Sequence, residues 1–339
     1  MGYDHLTPQQ VLDALDAVGL PGDGRILQLN SYENRVFQVM LEDGGAVVAK
    51  FYRPGRWTDA QIVEEHAFAL ELAAAEVSVV PPLTLSVALS TEPRSSGLTL
   101  HGQPPTLACL DTAEGDSHRF AVAARCAGRE PELEDPDTLR RIGGFIGRLH
   151  AVGRRQRFEH RHVLDAQRDG DRACRLLLDR GFLTPAERPA WQAMAAQALS
   201  ATVAAFDALA PLATLRLHGD CHPGNVLWRD GRPNVVDLDD AMQGPAVQDL
   251  WMLVSGDATT VSQQLNLLLE GYETFAEFDD RERALIEPLR TLRMLRHSAW
   301  LAERWSDPTF PIHFPFFGTA AYWSQQTTQL REQLEAMGG

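Results

Sequence analysis

The sequence has no long apolar run and no excess of basic residues. Within its 339 residues no stretch approaches the about 18 consecutive apolar residues that cross a bilayer, so we expect no membrane span. Lys and Arg total 31 against 46 Asp and Glu, for a net charge of −15. That balance argues against a nucleic-acid partner or an anionic membrane surface, because both attract basic proteins. The N-terminus lacks a basic segment before an apolar run, so we expect no signal peptide.

Cysteine is also scarce. The four cysteines show no paired spacing of the kind that predicts a disulfide framework or a metal site. A reducing cytoplasm is the compartment that we expect. Hydrophobic residues make up 44% of the chain and charged residues 23%, which is ordinary for a soluble globular protein. The length leaves room for a large core and predicts two lobes.

The first third of the chain predicts an antiparallel sheet with one internal helix. An N-terminal helix begins at Pro8 and is capped by Thr7. A second helix is predicted over 58–76, and an Asp-Gly pair at residues 43–44 predicts a hairpin turn. The predicted strands are residues 26–30, 35–41, 46–52, 83–87, 97–101 and 120–124. This arrangement is an α+β pattern.

The rest of the chain reads as mainly helical. Pro136 suits a first helical turn, and Thr184 with Glu187 forms a capping-box pattern. Further helices are predicted over residues 259–277, 280–305 and 319–336. We therefore predict a nucleotide-binding lobe over residues 1–127 and a helical lobe over residues 128–339. The helical lobe also contains the segment that says most about chemistry.

That segment is residues 217–241, LHGDCHPGNVLWRDGRPNVVDLDDA. Two short β-type runs, VLW and NVVDL, flank the turn RDGRP and predict a hairpin. Because the two ends of a hairpin meet, Asn225 and Asp237 are expected to lie close together. The polar residues at the ends of this hairpin are His218, Asp220 and Asn225 before it, and Asp237, Asp239 and Asp240 after it.

Each of these residue types suits phosphoryl transfer. Asp220 can accept the proton of an attacking hydroxyl, and it lies five residues before Asn225, as in the catalytic loop of kinases. Asn225 and Asp237 offer the oxygen ligands that Mg²⁺ prefers, and a bound metal would neutralise charge on the phosphates. His218 is expected to order the loop by hydrogen bonding. The alternative is a polar hairpin whose acidic residues are only solvated.

The pattern H-G-D-x-H-P-x-N followed by D-x-D resembles the signature of the aminoglycoside phosphotransferase-like kinases, which include choline and homoserine kinases. The segments NSYENR, KFYRPGRW and GPAVQDLW resemble, more closely, a bacterial subfamily of serine/threonine protein kinases linked to stress. The resemblance runs from about residue 4 to 335. It implies a bilobal kinase-like fold and ATP- and Mg²⁺-dependent transfer to protein hydroxyls.

The resemblance also implies roles for single residues. Asp220 matches the proton acceptor, and Asn225 and Asp237 match the magnesium ligands. Lys50 matches the lysine that pairs with the α- and β-phosphates, although a lysine at a strand end can also simply extend to solvent. An acidic residue of the helix over 58–76 is expected to hold Lys50. Glu64 and Glu65 are adjacent, so only one can point inward; we favour Glu65 and expect little effect from loss of Glu64.

Asp249 resembles the buried aspartate that braces the catalytic loop in this family. Where many kinases have a glycine-rich loop over the phosphates, this chain has Ser31-Tyr32-Glu33-Asn34-Arg35. Backbone amides can still cradle a phosphate, and we expect the Ser31 and Asn34 side chains to help bind ATP. The same segment can also be a simple strand turn. Residues 125–128 are expected to form the hinge that contacts adenine.

Aromatic residues are concentrated near the C-terminus. They form either one wall of the substrate cleft or, as is more common for aromatic residues on helices, part of the core. They are Trp300, Trp305, Phe310, Phe314, Phe316, Phe317 and Trp323. Arg293, His297 and Arg304 lie on one predicted helix near them, where an acidic or phosphorylated substrate would be met.

Three functions remain open at this point. The first is a cytoplasmic, monomeric kinase for Ser and Thr hydroxyls of proteins. The second is a small-molecule kinase of the same fold, because a fold by itself does not select the acceptor. The third is a nucleotide-binding pseudokinase, which the presence of Lys50, Asp220, Asn225 and Asp237 disfavours. Asp239 and Asp240 are left without an assigned role: either a backup to the metal, or a solvated or capping residue.

Overall fold

The computed structural model describes residues 6–88, 97–111 and 115–338. Its first part is a six-stranded antiparallel sheet in the order β1-β2-β3-β6-β5-β4. The strands are β1 (Gly22–Leu29), β2 (Arg35–Leu41), β3 (Ala46–Phe51), β4 (Leu98–His101), β5 (Leu107–Asp111) and β6 (Ser117–Ala124). Two helices accompany this sheet, α1 (Pro8–Ala17) and α2 (Asp59–Ala74). The predicted α+β lobe with one internal helix is confirmed.

Local sequence signals explain why these elements begin where they do. Thr7 and Thr58 each cap a helix through a complete capping box, with a Gln three residues later returning the hydrogen bond. The β2–β3 hairpin turns at Gly44, whose φ of 85° lies in the left-handed region that favours glycine. In β3, Ala49 and Phe51 are buried in the sheet core, so the alternation of strand faces turns Lys50 away from it.

One strand prediction is wrong, and one strand of the sheet was missed. Residues 83–87 do not form a strand; Leu83 and Leu85 make single backbone hydrogen bonds to Val122 and Pro105. The segment follows Pro81 and Pro82, which lack the N–H groups that a ladder needs. The strand at Leu107–Asp111, in contrast, was not predicted.

The second part of the chain is mainly helical, as predicted. Its helices are α3 (Pro136–Gly153), α4 (Ala166–Asp179), α5 (Arg188–Ala208), α6 (Ala258–Tyr272), α7 (Ile286–Arg304), α8 (Thr309–His313) and α9 (Ala320–Ala336). Two small antiparallel pairs interrupt them: β7 (Leu215–Leu217) with β10 (Met242–Gly244), and β8 (Val226–Arg229) with β9 (Arg232–Val235). The described helices include none long and apolar enough to cross a membrane.

The capping box predicted at Thr184 is wrong. The helix α5 begins at Arg188, and its N-cap residue Glu187 makes no side-chain capping bond. The Thr184 hydroxyl instead donates to the Glu187 carboxylate. The two side chains therefore bind each other and do not cap backbone N–H groups of the helix. Pro189 in the first turn favours this later start, because its missing N–H would be unpaired there in any case.

Close packing of α3 against α6 forms the centre of the helical part. A Cβ atom on Gly143 would lie 1.8 Å from the carbonyl oxygen of Leu268, so only glycine allows this approach of the two helices. Buried Ile142, Ile146 and Leu149 fill the remaining contact. The same apolar cluster includes Leu217 and Val226 on either side of the catalytic-loop segment, so the loop is anchored in the core at both ends.

Candidate active site

The loop after β7 is held by a buried carboxylate. The backbone N–H groups of His218 and Gly219 donate to the two oxygens of Asp249, each at 2.8 Å. His150 hydrogen-bonds the same carboxylate at 3.1 Å. Burial raises the pKa of Asp249, but these hydrogen bonds, led by that from His150, outweigh it and keep the pKa below its ordinary value. An ionised Asp249 therefore determines the backbone path that leads into Asp220.

His218 ties the same loop to the end of the neighbouring hairpin. Its Nε2 lies 2.9 Å from the carbonyl oxygen of Val236, and its Nδ1 accepts the N–H of Asp220 at 3.3 Å. With Nδ1 accepting from Asp220, Nε2 is the nitrogen that can donate to Val236. His218 thus links Asp220 to the strand end beside Asp237.

Asp220 faces the cleft between the two lobes and forms an ion pair with Arg293 of α7. The Arg293 Nη1 to Asp220 Oδ1 distance is 2.6 Å, and the Asp220 side chain is 27% exposed. Burial raises the pKa of Asp220, but Arg293 outweighs it and lowers the pKa below its ordinary value. Asp220 is consequently ionised at neutral pH, as a proton acceptor must be.

The β8–β9 hairpin brings Asn225 and Asp237 to the same place. The Val236 N–H donates to the carbonyl oxygen of Asn225 at 3.0 Å, which closes the open end of the hairpin. Asn225 donates its Nδ2 to the Asp220 carbonyl oxygen at 2.9 Å, so its Oδ1 is directed elsewhere. Asp237 has a left-handed backbone with φ of 61°, an unfavourable conformation for a non-glycine residue that is often found at functional sites.

These donors fit a metal that arrives with a nucleotide. No group of three His, Cys, Asp or Glu residues in the described part of the chain is arranged to hold a metal by itself. Mg²⁺ commonly takes one or two protein oxygens and completes its shell with phosphate oxygens and water. Two side chains match that donor set. One is Asn225, whose Oδ1 is fixed in place because the Nδ2 of the same amide donates to Asp220. The other is Asp237, whose carboxylate is half-exposed.

Lys50 makes a different ion pair from the predicted one. Its Nζ lies 2.7 Å from Asp237 Oδ1 and 3.9 Å from Asp239 Oδ1, and it forms no ion pair with Glu65. Burial lowers the pKa of Lys50, but the two aspartates outweigh it and raise the pKa well above its usual value. The expected acidic partner on α2 is therefore replaced by Asp237 in this conformation.

The reason is the burial of Glu65. This residue is only 6% exposed, and burial raises its pKa to about 7 although Lys50 acts in the opposite direction. A carboxyl group that is partly protonated near neutrality attracts an ammonium less than Asp237 does. Glu65 nevertheless lines the same cleft as Lys50, which is the inward orientation expected of it.

Glu64 is directed to the other lobe. Its carboxylate accepts the backbone N–H groups of Glu159, His160 and Arg161, the last two at 2.9 and 2.7 Å. Three N–H groups of a turn therefore depend on the two Glu64 oxygens, which gives this residue a structural role. That its loss does little to activity stays a prediction. The spacing of residues on the helix predicted that Glu64 points away from the cleft. No sequence pattern indicated that it accepts hydrogen bonds from residues 159–161.

Asp239 and Asp240 both bind Arg56, from the segment between β3 and α2. The Arg56 guanidinium contacts Asp239 Oδ2 and lies 2.7 Å from Asp240 Oδ1. Burial raises the pKa of Asp239, but Lys50 and Arg56 outweigh it and lower the pKa to about 2. These two acids therefore connect the lobes. Arg56 belongs to the KFYRPGRW motif, the one sequence signal that marked it, although no role followed from that motif.

Asn34 was expected to contact a phosphate, but its side chain is engaged within the protein. Its Nδ2 donates to Asp239 Oδ2 at 3.0 Å, and its Oδ1 accepts the N–H of Arg53 at 3.2 Å. Asn34 is only 3% exposed, and these two hydrogen bonds stabilise the loop at residues 31–35 from inside the protein. Ser31 lines the cleft and accepts the Asn34 N–H at 3.3 Å, which leaves its own hydroxyl proton to donate.

The glycine-free loop is attached to the C-terminal helices. Glu33 accepts hydrogen bonds from Trp300 Nε1 at 2.6 Å and from Arg304 Nη2 at 2.9 Å. Tyr32 packs on the Phe314 ring with 5.0 Å between centroids. Sequence reasoning missed Glu33 as a link between lobes, because its partners lie about 270 residues away in the chain.

The C-terminal aromatics divide between the two predicted roles. Phe310, Phe317 and Trp323 are buried in a core cluster with α4 and α5. Trp300 and Phe314 line the cleft, whereas Phe316 is 50% exposed. Core and cleft wall are therefore both correct, for different members of the group.

One cleft of about 1330 Å³ brings these residues together. Apolar side chains of the sheet, including Val36, Val48 and Val122, line one end, next to Cys126 of the segment that joins the lobes. Asp220, Arg293 and Trp300 line the other end. The volume exceeds that of a usual single-ligand pocket, so a nucleotide and part of an acceptor fit side by side.

A family model described as the phosphotransferase enzyme family matches residues 25–286. The chain is 40% identical over 335 residues to stress response kinase A of Escherichia coli strain K12, which covers 99% of this chain and 94% of that protein. A Salmonella typhimurium protein named serine/threonine protein kinase RdoA is 39% identical over the same share of both chains.

Solved structures show the same fold at low sequence identity. The amicoumacin kinase hAmiN, in complex with AMP-PNP, Ca²⁺ and its ligand, superposes with a TM-score of 0.69 at 17% identity, covering 98% of this chain and 94% of that one. A microcompartment-associated aminopropanol kinase gives 0.69 at 16% identity, covering 98% and 97%. The chain has a kinase-like fold, belongs to the phosphotransferase enzyme family and is related to stress response kinase A over nearly its whole length.

Proposed function

We propose that this protein transfers the γ-phosphate of ATP to Ser and Thr hydroxyls of proteins, with Mg²⁺ as its cofactor. One observation carries the proposal: Lys50, Asp220, Asn225 and Asp237 line a single cleft between the sheet and the helices. Lys50 stays protonated and Asp220 stays ionised, which are the charges that their roles require.

Asp220 is the catalytic residue of this proposal. The acceptor hydroxyl gives its proton to Asp220 Oδ2, the oxygen that Arg293 does not contact, as its own oxygen bonds to the γ-phosphorus. The bond from the γ-phosphorus to the bridging oxygen breaks, and ADP leaves with that electron pair. Asp249 and His218 hold the loop, so that the carboxylate is in place before the acceptor binds.

Lys50 and the loop at residues 31–34 bind the phosphates of ATP. Lys50 is adjacent to Asp237 at 2.7 Å, so an ammonium and a metal ligand approach the same phosphate group. Ser31 adds a hydroxyl donor, and the buried Glu65 holds the local charge balance around Lys50. Asn225 and Asp237 hold the metal, which neutralises the negative charge on the phosphoryl oxygens when bound.

Two observations support a protein acceptor. The related protein from Salmonella typhimurium carries the name serine/threonine protein kinase. The acceptor end of the cleft is lined by Arg293 and Arg296, and a pocket for a polycationic aminoglycoside would need acidic residues instead. A small-molecule kinase remains the second candidate, because the similar solved structures include kinases of small molecules.

Radiolabelled ATP tests these functions in one assay. The purified protein is incubated with labelled ATP and Mg²⁺, with generic proteins, with a mixture of small hydroxyl compounds, or with neither. We expect label in Ser and Thr of the protein acceptors. Label only in small molecules would support the second candidate, and nucleotide binding without transfer to either class would support a pseudokinase.

We also propose that the enzyme acts in the cytoplasm as a monomer. All four cysteines lie within the described residues and are free thiols, which suits a reducing compartment. Light scattering on a sizing column measures the mass of the protein in solution. A mass near 37.5 kDa is expected for the monomer, and twice that value would contradict it.

A further inference from the structure

The acceptor end of the cleft is basic in an acidic protein. The whole chain has 46 acidic residues against 31 Lys and Arg. Yet α4 with its C-cap residue and α7 present four arginines to this part of the cleft, namely Arg172, Arg180, Arg293 and Arg296. Such a local reversal of charge favours a ligand of negative charge.

Two of these arginines form no ion pair within the part of the chain that the structure describes. Arg172 pairs with Glu303 at 3.1 Å, and Arg293 pairs with Asp220 at 2.6 Å. Arg180 and Arg296 have no side-chain hydrogen bond or ion pair to any of the residues that the structure describes. Arg296 is partly buried, and a guanidinium that loses water without a contacting anion is destabilised unless a ligand supplies that anion.

The acids near Arg296 are already engaged. Asp169 accepts a hydrogen bond from His162 at 2.8 Å and another from the Asp165 N–H at 3.1 Å. Burial raises the pKa of Asp169, but His162 and, more weakly, Arg296 outweigh it and keep the pKa below its ordinary value. Glu303 is shared between Arg172 and Arg304. Asp169 attracts Arg296 at longer range, but neither carboxylate forms an ion pair with it.

Arg296 is also well placed relative to the reacting hydroxyl. It follows Arg293 by three residues on α7, so the two side chains share one face of the helix. Arg293 contacts Asp220 directly, which puts Arg296 about one helical turn from the catalytic carboxylate. Trp300, one turn further, continues the same wall of the cleft. An anionic group bound by Arg296 would therefore lie a few residues from an acceptor hydroxyl at Asp220.

We propose that Arg296, with Arg180 and Arg293, selects Ser and Thr acceptors that have anionic groups, carboxylate or phosphate, within a few residues of the hydroxyl. The inference rests on the proposed protein kinase function and gives it a substrate class. A guanidinium binds both anions through paired N–H donors, so both satisfy the same site. Basic acceptors would be repelled by the same arginines.

A peptide panel tests this selection on the intact protein. Four peptides share one central Ser and differ only in the flanking residues: Asp and Glu, Gln and Asn, Lys and Arg, or one phosphoserine. We expect kcat/KM for the acidic or the phosphorylated peptide to exceed that for the neutral peptide by about 10-fold or more, the usual scale of a charge-assisted hydrogen bond. The better of these two peptides distinguishes carboxylate from phosphate.

Arg296→Gln should reduce the ratio of kcat/KM for the acidic and neutral peptides about 10-fold, whereas Arg296→Lys keeps part of it. Arg175→Gln is the matched control, because Arg175 is exposed on α4 and does not line the cleft. Equal kcat/KM for acidic, neutral and basic peptides in the unmodified protein would overturn the inference while leaving the protein kinase function intact. Transfer to none of the peptides would overturn both.

Discussion

Glu33 and Arg304 join the two lobes across the cleft, with 2.9 Å between Glu33 Oε1 and Arg304 Nη2. Their side chains are only 12% and 17% exposed, so water screens the pair little. Glu33 lies in the segment that replaces a glycine-rich loop. A loop without glycine is thus held over the cleft by a residue of α7.

We expect Glu33→Gln to raise the KM for ATP, because the loop over the phosphates loses its charged anchor. A double-mutant cycle with Arg304→Gln should give a coupling of about 1–3 kcal/mol in the free energy of unfolding, as for other contacting charged pairs. Chemical denaturation of the four proteins measures it. Additive losses would mean that the pair does not hold the lobes together.

Asp220→Asn should lower kcat by about 10²–10⁴, the usual contribution of a general base, while the protein stays folded. The exposed hairpin residue Asp230 provides the control: Asp230→Asn makes the same chemical change 10 residues away, at φ of 51°, a conformation that Asn accepts. Steady-state kinetics and thermal unfolding of both variants give the comparison. Near-normal kcat in Asp220→Asn would remove this residue from its assigned role.

Asp237→Ala should weaken the Mg²⁺ dependence of ATP binding. The substitution removes a metal ligand and also the nearest ion-pair partner of Lys50. Calorimetric titration with ATP, with and without Mg²⁺, separates the two effects. If Mg²⁺ strengthens ATP binding equally in the variant and the unmodified protein, the metal is held elsewhere.

Alanine substitutions of the adjacent residues Glu64 and Glu65 should have different effects on stability and on kcat. Glu64→Ala leaves three backbone N–H groups without their acceptor and should lower the free energy of unfolding by about 1–3 kcal/mol. Glu65→Ala should mainly lower kcat, because it alters the charge around Lys50. Denaturation curves and kinetics on both variants check this. Equal loss of kcat with unchanged stability would contradict the orientation described for Glu64.

Glu65 should make stability depend on pH. Its folded pKa of about 7 is raised above the ordinary value of 4.5, so its contribution is complete below pH 4.5 and is lost as pH rises through 7. The free energy of unfolding relative to Glu65→Gln should therefore decline by up to about 3 kcal/mol between pH 5 and 8. Denaturant titrations at several pH values measure that difference. A constant difference would mean that Glu65 ionises normally.

The local order of the chain was readable from its sequence. The cap at Thr7, the Asp-Gly turn before β3 and the apolar spacing over residues 58–76 are all local, so short patterns predicted α1, the β2–β3 hairpin and α2. Spacing likewise identified Asp220, Asn225 and Asp237, because a hairpin of known length brings its two ends together. The family followed from the same segment.

Tertiary structure alone decided which charges meet. Lys50 pairs with Asp237 rather than Glu65, Arg56 binds Asp239 and Asp240, and Glu33 meets Arg304. These partners are about 180 to 270 residues apart, and no local pattern encodes such a distance. Burial raises the pKa of Glu65 to about 7, whereas the equally buried Asp239 remains ionised because both Lys50 and Arg56 lie beside it.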